Sequence, residues 1–281
     1  GLVGESGCGK STVARTIVGL TAPTSGDIRF RGETLVGLTR EAMRGHRRHL
    51  QMVFQDPYAS LNPRMTIAST IGEPMVIHRT AAKGELDARV CRIMELVGLD
   101  PSMRRRYPHE FSGGQRQRIG LARALALEPD VILLDEPVSA LDVSVQAQVL
   151  NLLDDLKRRL GLTYLFIAHH LAVVRHMSDR VAVMYLGQIV ELADRDTIYA
   201  KPLHPYTEAL MSAVPVPDPQ VEATRTRIRL DGEVPSPTEE IQGCAFRSRC
   251  PKAFGRCAEE SPGLEEHAPG HWAACHLPED A

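Results

Sequence analysis

Gly4-Glu5-Ser6-Gly7-Cys8-Gly9-Lys10-Ser11, with Thr12 behind it, decides how this chain reads. The run fits G-x-x-x-x-G-K-[ST], a phosphate-binding loop between a strand and a helix. Glycines let backbone N–H groups turn inward around phosphates, and the following helix points its positive end at them. Lys10 can reach the β- and γ-phosphates, and the Ser11 hydroxyl can ligate Mg²⁺. A chance match of four fixed positions in a chain of this length is on the order of one in a hundred. The context agrees: residues 1–10 read as a strand end running into a turn. Residues 11–20 carry Val13, Ala14, Ile17 and Val18 as a helical stripe. Cys8, beside that helix start, is expected to have a lowered pKa and to alkylate readily unless ATP protects it.

Val131-Ile132-Leu133-Leu134-Asp135-Glu136 supplies the second half of such a site. A continuous apolar run is expected of a parallel strand covered on both faces, and it delivers Asp135 at its carboxyl end. There Asp135 can hold Mg²⁺ through the metal's waters, and Glu136 can orient or deprotonate the attacking water. These features alone imply a nucleotide hydrolase.

Outward from these two motifs, strands alternate with helices. Strand character falls at 26–35, 51–54, 131–134 and 163–168, and a hairpin at 180–185 with 188–192. Helical character falls at 115–127 and 145–160, and over most of 57–108 with breaks at Pro63, Pro74 and Pro101. The expected fold is α/β: a P-loop NTPase (RecA-like) core with an inserted helical subdomain and a small Cys-rich C-terminal extension. The expected boundaries are 1–57 and 115–212 for the core, 58–114 for the helical subdomain and 213–281 for the extension. Residues 214–219 carry three prolines and read as the linker between core and extension.

Composition narrows the function classes. The 281 residues are 43% hydrophobic and 24% charged, enough for a sizeable core. The net charge of −2 gives no overall pull toward nucleic acid or anionic lipid. The clusters Arg44, Arg47, Arg48 and Arg104-Arg105-Arg106 read as solvated surface. No stretch approaches the ~20 apolar residues of a membrane-spanning helix. Four of the six cysteines fall in one tail: Cys244, Cys250, Cys257 and Cys275, spaced C-x5-C-x6-C-x17-C. Four soft thiolates there suit Zn²⁺ or an iron–sulfur cluster, and free thiols remain the third reading. His271 and His276 could complete a zinc site instead.

Phe111-Ser112-Gly113-Gly114-Gln115-Arg116-Gln117-Arg118 resembles the signature motif of ABC ATPases, placed as in that family shortly before the Asp-Glu strand. Read from the residues, Ser112-Gly113-Gly114 opens a helix and presents another anion-binding end. The resemblance implies head-to-tail pairing of two ATPase domains, each signature motif closing over the other's ATP. It further implies that Gln55 is the Q-loop glutamine, linking the γ-phosphate and Mg²⁺ to a transmembrane partner. Ser139-Ala140-Leu141-Asp142 matches the D-loop, and His169 the switch histidine. Ala168 and His170 depart from the Ser and Asp common beside that histidine. Family members also carry a stretch before the P-loop with an aromatic residue that stacks on adenine, so the chain reads as a fragment of a longer product.

Within that family the chain is similar to oligopeptide/dipeptide importer ATPases. The carrying stretches are Phe54-Gln55-Asp56-Pro57-Tyr58-Ala59-Ser60-Leu61-Asn62-Pro63-Arg64, His204-Pro205-Tyr206-Thr207 and Gly232-Glu233-Val234-Pro235-Ser236-Pro237. Tyr58 with Gln115 resembles the second of the two ATPases such importers pair. The implied partners are a second ATPase subunit, two transmembrane permeases and an extracytoplasmic solute-binding protein. The implied location is peripheral, on the cytoplasmic face of the cell membrane. ATP and Mg²⁺ are the implied cofactors, and a [4Fe–4S] cluster in the tail is a further implication. Nickel and glutathione importers share much of this pattern. A non-transport ABC ATPase would show a long coiled-coil insertion or two ATPase copies. A regulatory partner would have lost Lys10, Asp135, Glu136 or His169, and all four are present.

Overall fold

A computed structural model describes residues 1–82, 84–214, 227–232, 234–236, 239 and 241–277. Most of the proline-rich linker, and Glu233 and Pro237, lie outside the described residues. The chain divides into two compact units, Ser11–Ile167 and a second made of Gly1–Lys10 with Ala168–Ala281.

The first five elements are β1 (Leu2–Val3), α1 (Lys10–Ile17), β2 (Arg29–Phe30), β3 (Glu33–Thr34) and α2 (Arg40–Arg47). Next come β4 (Leu50–Val53), α3 (Ile67–Ile77), α4 (Leu86–Leu96), α5 (Gly113–Leu125), β5 (Val131–Asp135), α6 (Val143–Leu160) and β6 (Thr163–Ile167). The chain continues through α7 (Leu171–Met177), β7 (Arg180–Tyr185), β8 (Gln188–Asp194), α8 (Arg195–Ala200) and α9 (Pro205–Ser212). It closes with α10 (Gly255–Glu259), β9 (Glu265–Ala268) and β10 (His271–Ala273).

In the Ser11–Ile167 unit, β4, β5 and β6 run parallel, with Leu50 opposite Val131 and Val131 opposite Thr163. Ile132, Leu133 and Leu134 are fully buried, as an apolar run covered on both faces must be. β2 and β3 form a separate antiparallel pair. The helical stretch after β4 corrects one expectation, because α3 runs through Pro74 instead of breaking there. An interior proline costs about 3 kcal/mol. Burying the fully enclosed Ile67, Ile71 and Met75 on that helix returns about 1.5–3 kcal/mol each, so packing wins. α6 starts on the Asp142 cap and ends on Gly161, whose φ is 65°; Lys157, Arg158 and Arg159 fill its last turn, where the helix dipole favours cations.

In the other unit, β1 pairs parallel with β7, while β7–β8, β8–β10 and β10–β9 are antiparallel. The 180–192 hairpin is as expected. The final pair, β9 and β10, lies where the sequence reads as loop.

One buried acid organises this unit. Glu191, fully enclosed, accepts from the N–H groups of Leu203 (2.8 Å) and His204 (3.0 Å) and sits 2.7 Å from His271 Nε2. Burial pushes the His204 pKa down to about 4, keeping the ring neutral. Its Nδ1 then accepts from the Tyr206 N–H at 3.1 Å, so His204 caps α9 and Pro205 occupies its first turn. The His-Pro-Tyr-Thr stretch is thus a helix start anchored on Glu191.

Candidate nucleotide site

The glycine loop leaves β1 with its backbone pressed against a neighbouring strand. A side-chain carbon at Gly4 would lie 2.1 Å from the Met184 carbonyl oxygen, so only glycine fits. Gly187 N–H donates to the Cys8 carbonyl at 2.9 Å. Lys10 is 5% exposed, and its Nζ donates to the carbonyls of Gly4 (2.8 Å) and Glu5 (2.9 Å). Ser6 and Gly7 are exposed at the loop's crest, and Gly9 is half-buried. Cys8 corrects the expectation made for it. Its thiol is buried, burial pushes its pKa up, and the Lys10 charge opposes that shift as the smaller effect. In the same unit His169 is exposed, its ring centroid 4.1 Å from that of His170.

Glu5 is held at three points. Its carbonyl accepts from Lys10, its N–H donates to Tyr206 Oη at 3.0 Å, and its carboxylate takes two hydrogen bonds from Arg249 at 2.8 and 3.0 Å. Sequence reasoning missed Tyr206 and Arg249. The His204–Thr207 stretch carried a signal for the first, though only as a resemblance.

In the Ser11–Ile167 unit, the Ser11 hydroxyl donates to Asp135 Oδ1 at 2.9 Å. Asp135 is 2% exposed at the carboxyl end of β5. A hydroxyl and a carboxylate oxygen side by side form a hard donor pair, the chemistry Mg²⁺ prefers. Glu136 follows with φ 45°, a left-handed backbone unusual for a residue with a side chain, and its N–H donates to the Ile167 carbonyl at 3.0 Å. Gln55 Nε2 donates to Glu136 Oε2 at 2.9 Å. Thr12 is exposed on α1.

The signature residues build a local structure of their own. Ser112 caps α5: its hydroxyl accepts from the Gln115 N–H at 3.3 Å, and Gln115 Oε1 accepts from the Ser112 N–H at 3.0 Å. This reciprocal box is the plain role such a motif has in any helix, and Ser112 stays exposed. The D-loop lies against it. A side-chain carbon at Gly114 would fall 2.4 Å from Val145 Cγ1, and one at Gly113 would fall 3.3 Å from a Leu141 methyl. Asp142 caps α6 by accepting from the Val145 N–H at 2.9 Å, a bond that holds its carboxyl below the usual range.

The tail brings its cysteines near one another without building a ligand set. The Cys244 N–H donates to the Cys257 carbonyl at 2.8 Å. Burial, and then the neighbouring thiols, push Cys244, Cys250 and Cys275 up. Among the described residues no three His, Cys, Asp or Glu side chains converge as metal ligands. His271 and His276 are engaged elsewhere, by Glu191 and by the Glu260 carbonyl. Neither the cluster nor the zinc arrangement expected from the spacing is formed among the described residues.

A phosphate-binding loop after one parallel strand, and an acidic pair ending another, are the marks of a P-loop nucleotide hydrolase. Comparison with known proteins narrows that class. Residues 1–139 match the ABC transporter family, and residues 190–257 match the oligopeptide/dipeptide transporter C-terminal region. A putative oligopeptide transport ATP-binding protein of Bacillus subtilis, YkfD, is 56% identical over 99% of this chain and 84% of its own length. The oligopeptide transport ATP-binding protein OppF of Escherichia coli is 58% identical over 94% of this chain and 80% of its own. Among solved structures, cbiO1 of Clostridium perfringens, part of an ABC transporter complex, superposes with a TM-score of 0.64 at 26% identity. That match covers 71% of this chain and 78% of that one. A dimeric ATP-binding cassette in a post-hydrolysis state with ADP and Pi gives 0.63 at 28% identity, covering 69% and 84%. The chain belongs to the ATP-binding, ATP-hydrolysing subunits of ABC transporters, in their oligopeptide/dipeptide branch. Members of this class act on ATP with Mg²⁺. No helix among the described residues is long and apolar enough to cross a membrane.

Proposed function

We propose that this chain is the motor subunit of an importer, hydrolysing ATP to drive uptake of oligopeptides or dipeptides across the cytoplasmic membrane. The observation that carries the hydrolytic reading is the pairing of Gln55 with Glu136 at 2.9 Å, one residue after the Ser11–Asp135 pair. The loop 4–12 binds the phosphates, with Lys10 countering their charge. Ser11 and Asp135, assisted by Gln55, would hold Mg²⁺, which when bound would withdraw charge from the phosphate oxygens. Glu136 accepts the proton of the attacking water while Gln55 orients its carboxylate. His169 contacts the γ-phosphate. Ser112, Gly113, Gly114 and Gln115, with Asp142 beside them, act on the nucleotide of a second ATPase subunit.

The peptide cargo is supported by the relatives' names and by the C-terminal region shared with that branch. By the same support, two permease subunits and a solute-binding protein complete the assembly, with this chain bound to its cytoplasmic face. Residues 1–57 and 115–212 form the ATPase core, 58–114 the helical subdomain and 213–281 the extension. An iron–sulfur cluster on the four tail cysteines rests on their ligand chemistry alone, and an iron assay on anaerobically purified protein decides it. The test of the importer reading is uptake of labelled di- and oligopeptides in cells carrying wild type or Glu136→Gln. Uptake should collapse in the variant while the protein accumulates normally. Undiminished uptake contradicts the reading.

A further inference from the structure

We propose that Arg249, far along the C-terminal region, is a positioning residue for nucleotide binding that holds and neutralises Glu5 inside the phosphate-binding loop. The inference rests on reading residues 4–11 as that loop, and it deepens that reading by giving the C-terminal region a part in it.

A carboxylate inside a phosphate-binding loop is an electrostatic liability, because it repels the charge the loop must attract. Here it is matched by a fork. Both Glu5 oxygens receive guanidinium hydrogens from Arg249, at 2.8 and 3.0 Å, the two-pronged geometry that binds most strongly. The Arg249 side chain is 8% exposed and that of Glu5 28%, so the pair is partly shielded from water. Its guanidinium carbon lies 6.0 Å from the Tyr185 ring centroid. The short helical turn Arg247–Arg249 is seated by Phe246, which is 1% exposed and packs on Tyr185 and Tyr206 with centroids 5.2 and 5.4 Å away. Tyr206 in turn takes the Glu5 N–H, and the Glu5 carbonyl takes the Lys10 ammonium. Displacing Glu5 therefore displaces one of the two carbonyls that hold Lys10. Tyr206 from α9 and Arg249 from the tail together fix one of the two residues on which Lys10 rests.

The test is ATPase kinetics on the full-length protein with its partner subunits, comparing wild type, Arg249→Gln, Arg249→Lys and the double variant Arg249→Gln/Glu5→Gln. Arg249→Gln should raise the KM for MgATP roughly tenfold, since it leaves Glu5 unneutralised. It should leave kcat within about twofold, because the reacting groups are untouched. Arg249→Lys, which keeps the charge but loses the fork, should fall between. Removing the Glu5 charge in the double variant should bring KM back toward wild type. A merely structural bridge predicts a lower Tm with KM unchanged, or a double variant as impaired as Arg249→Gln, and either result overturns the proposal. If Arg249→Gln does not fold, Arg249→Lys and the double variant carry the comparison. Lys10→Ala in the same assay separates the two levels: retained ATP binding there overturns the loop reading itself, whereas lost binding with an unchanged Arg249→Gln overturns the Arg249 proposal alone.

Discussion

Gln55 donates its amide to the Glu136 carboxylate across 2.9 Å, although 81 residues separate them in sequence. Gln55 follows β4 and Glu136 follows β5, parallel strands in register along their length, so the contact is a product of strand pairing. Glu136 is further constrained by its left-handed backbone, with φ 45°. A carboxylate fixed both through its main chain and through its side chain would lose little freedom in the proton-accepting role proposed for it.

If Glu136 is the general base proposed above, Gln55→Ala should lower kcat roughly tenfold or more, because a positioned general base contributes on the order of 10²–10⁴. KM for ATP should move much less. Steady-state phosphate release over a range of ATP concentrations checks this, and a change in KM alone would be the wrong outcome.

Cys8 should be slow to alkylate at neutral pH, since its thiol is 6% exposed and its pKa is raised by burial. A raised pKa keeps the thiol protonated through the physiological range, so the labelling rate should still be climbing as pH passes the ordinary value of 9.0. Mass-spectrometric labelling of the six cysteines against pH measures it. Rapid labelling of Cys8 at pH 7 would contradict the buried placement.

Gly114→Ala forces a methyl group to within 2.4 Å of Val145 Cγ1. Overpacking of this kind costs about 1–3 kcal/mol, seen as a lower Tm. A second change, Val145→Ala, makes room and should recover much of the loss. Additive damage from the two substitutions would show that α5 and α6 do not meet there.

The parts of this molecule that were legible in sequence are those where one short segment carries its own physics. The glycines and Lys10 of the phosphate loop, and the apolar run ending in Asp135, declare a local backbone need and a buried parallel strand. The helix start at Ser112-Gly113-Gly114 was readable for the same reason, though not the Gln115 half of its cap. What escaped depends on distant partners. Arg249 and Glu5 stand 244 residues apart, and no periodicity links them. β9 is exposed at all four positions and shows no alternation, so it has no strand signature until β10 pairs with it. Pro74 reads as a break because the burial of Ile67, Ile71 and Met75 is invisible along the chain. Cys8 misled because the helix start is a local feature, whereas the burial that outweighs it is not.

The central claim is that Glu136 is the carboxylate that drives ATP hydrolysis, and phosphate release by the full-length protein with its partner subunits tests it most directly. Glu136→Gln keeps the size of the side chain and removes its basicity. The account predicts that turnover falls by at least about a hundredfold, the lower range for a lost general base, while ATP still binds with near wild-type affinity. Turnover within a few-fold of wild type, with ATP bound normally, would contradict it and move the catalytic role to another residue.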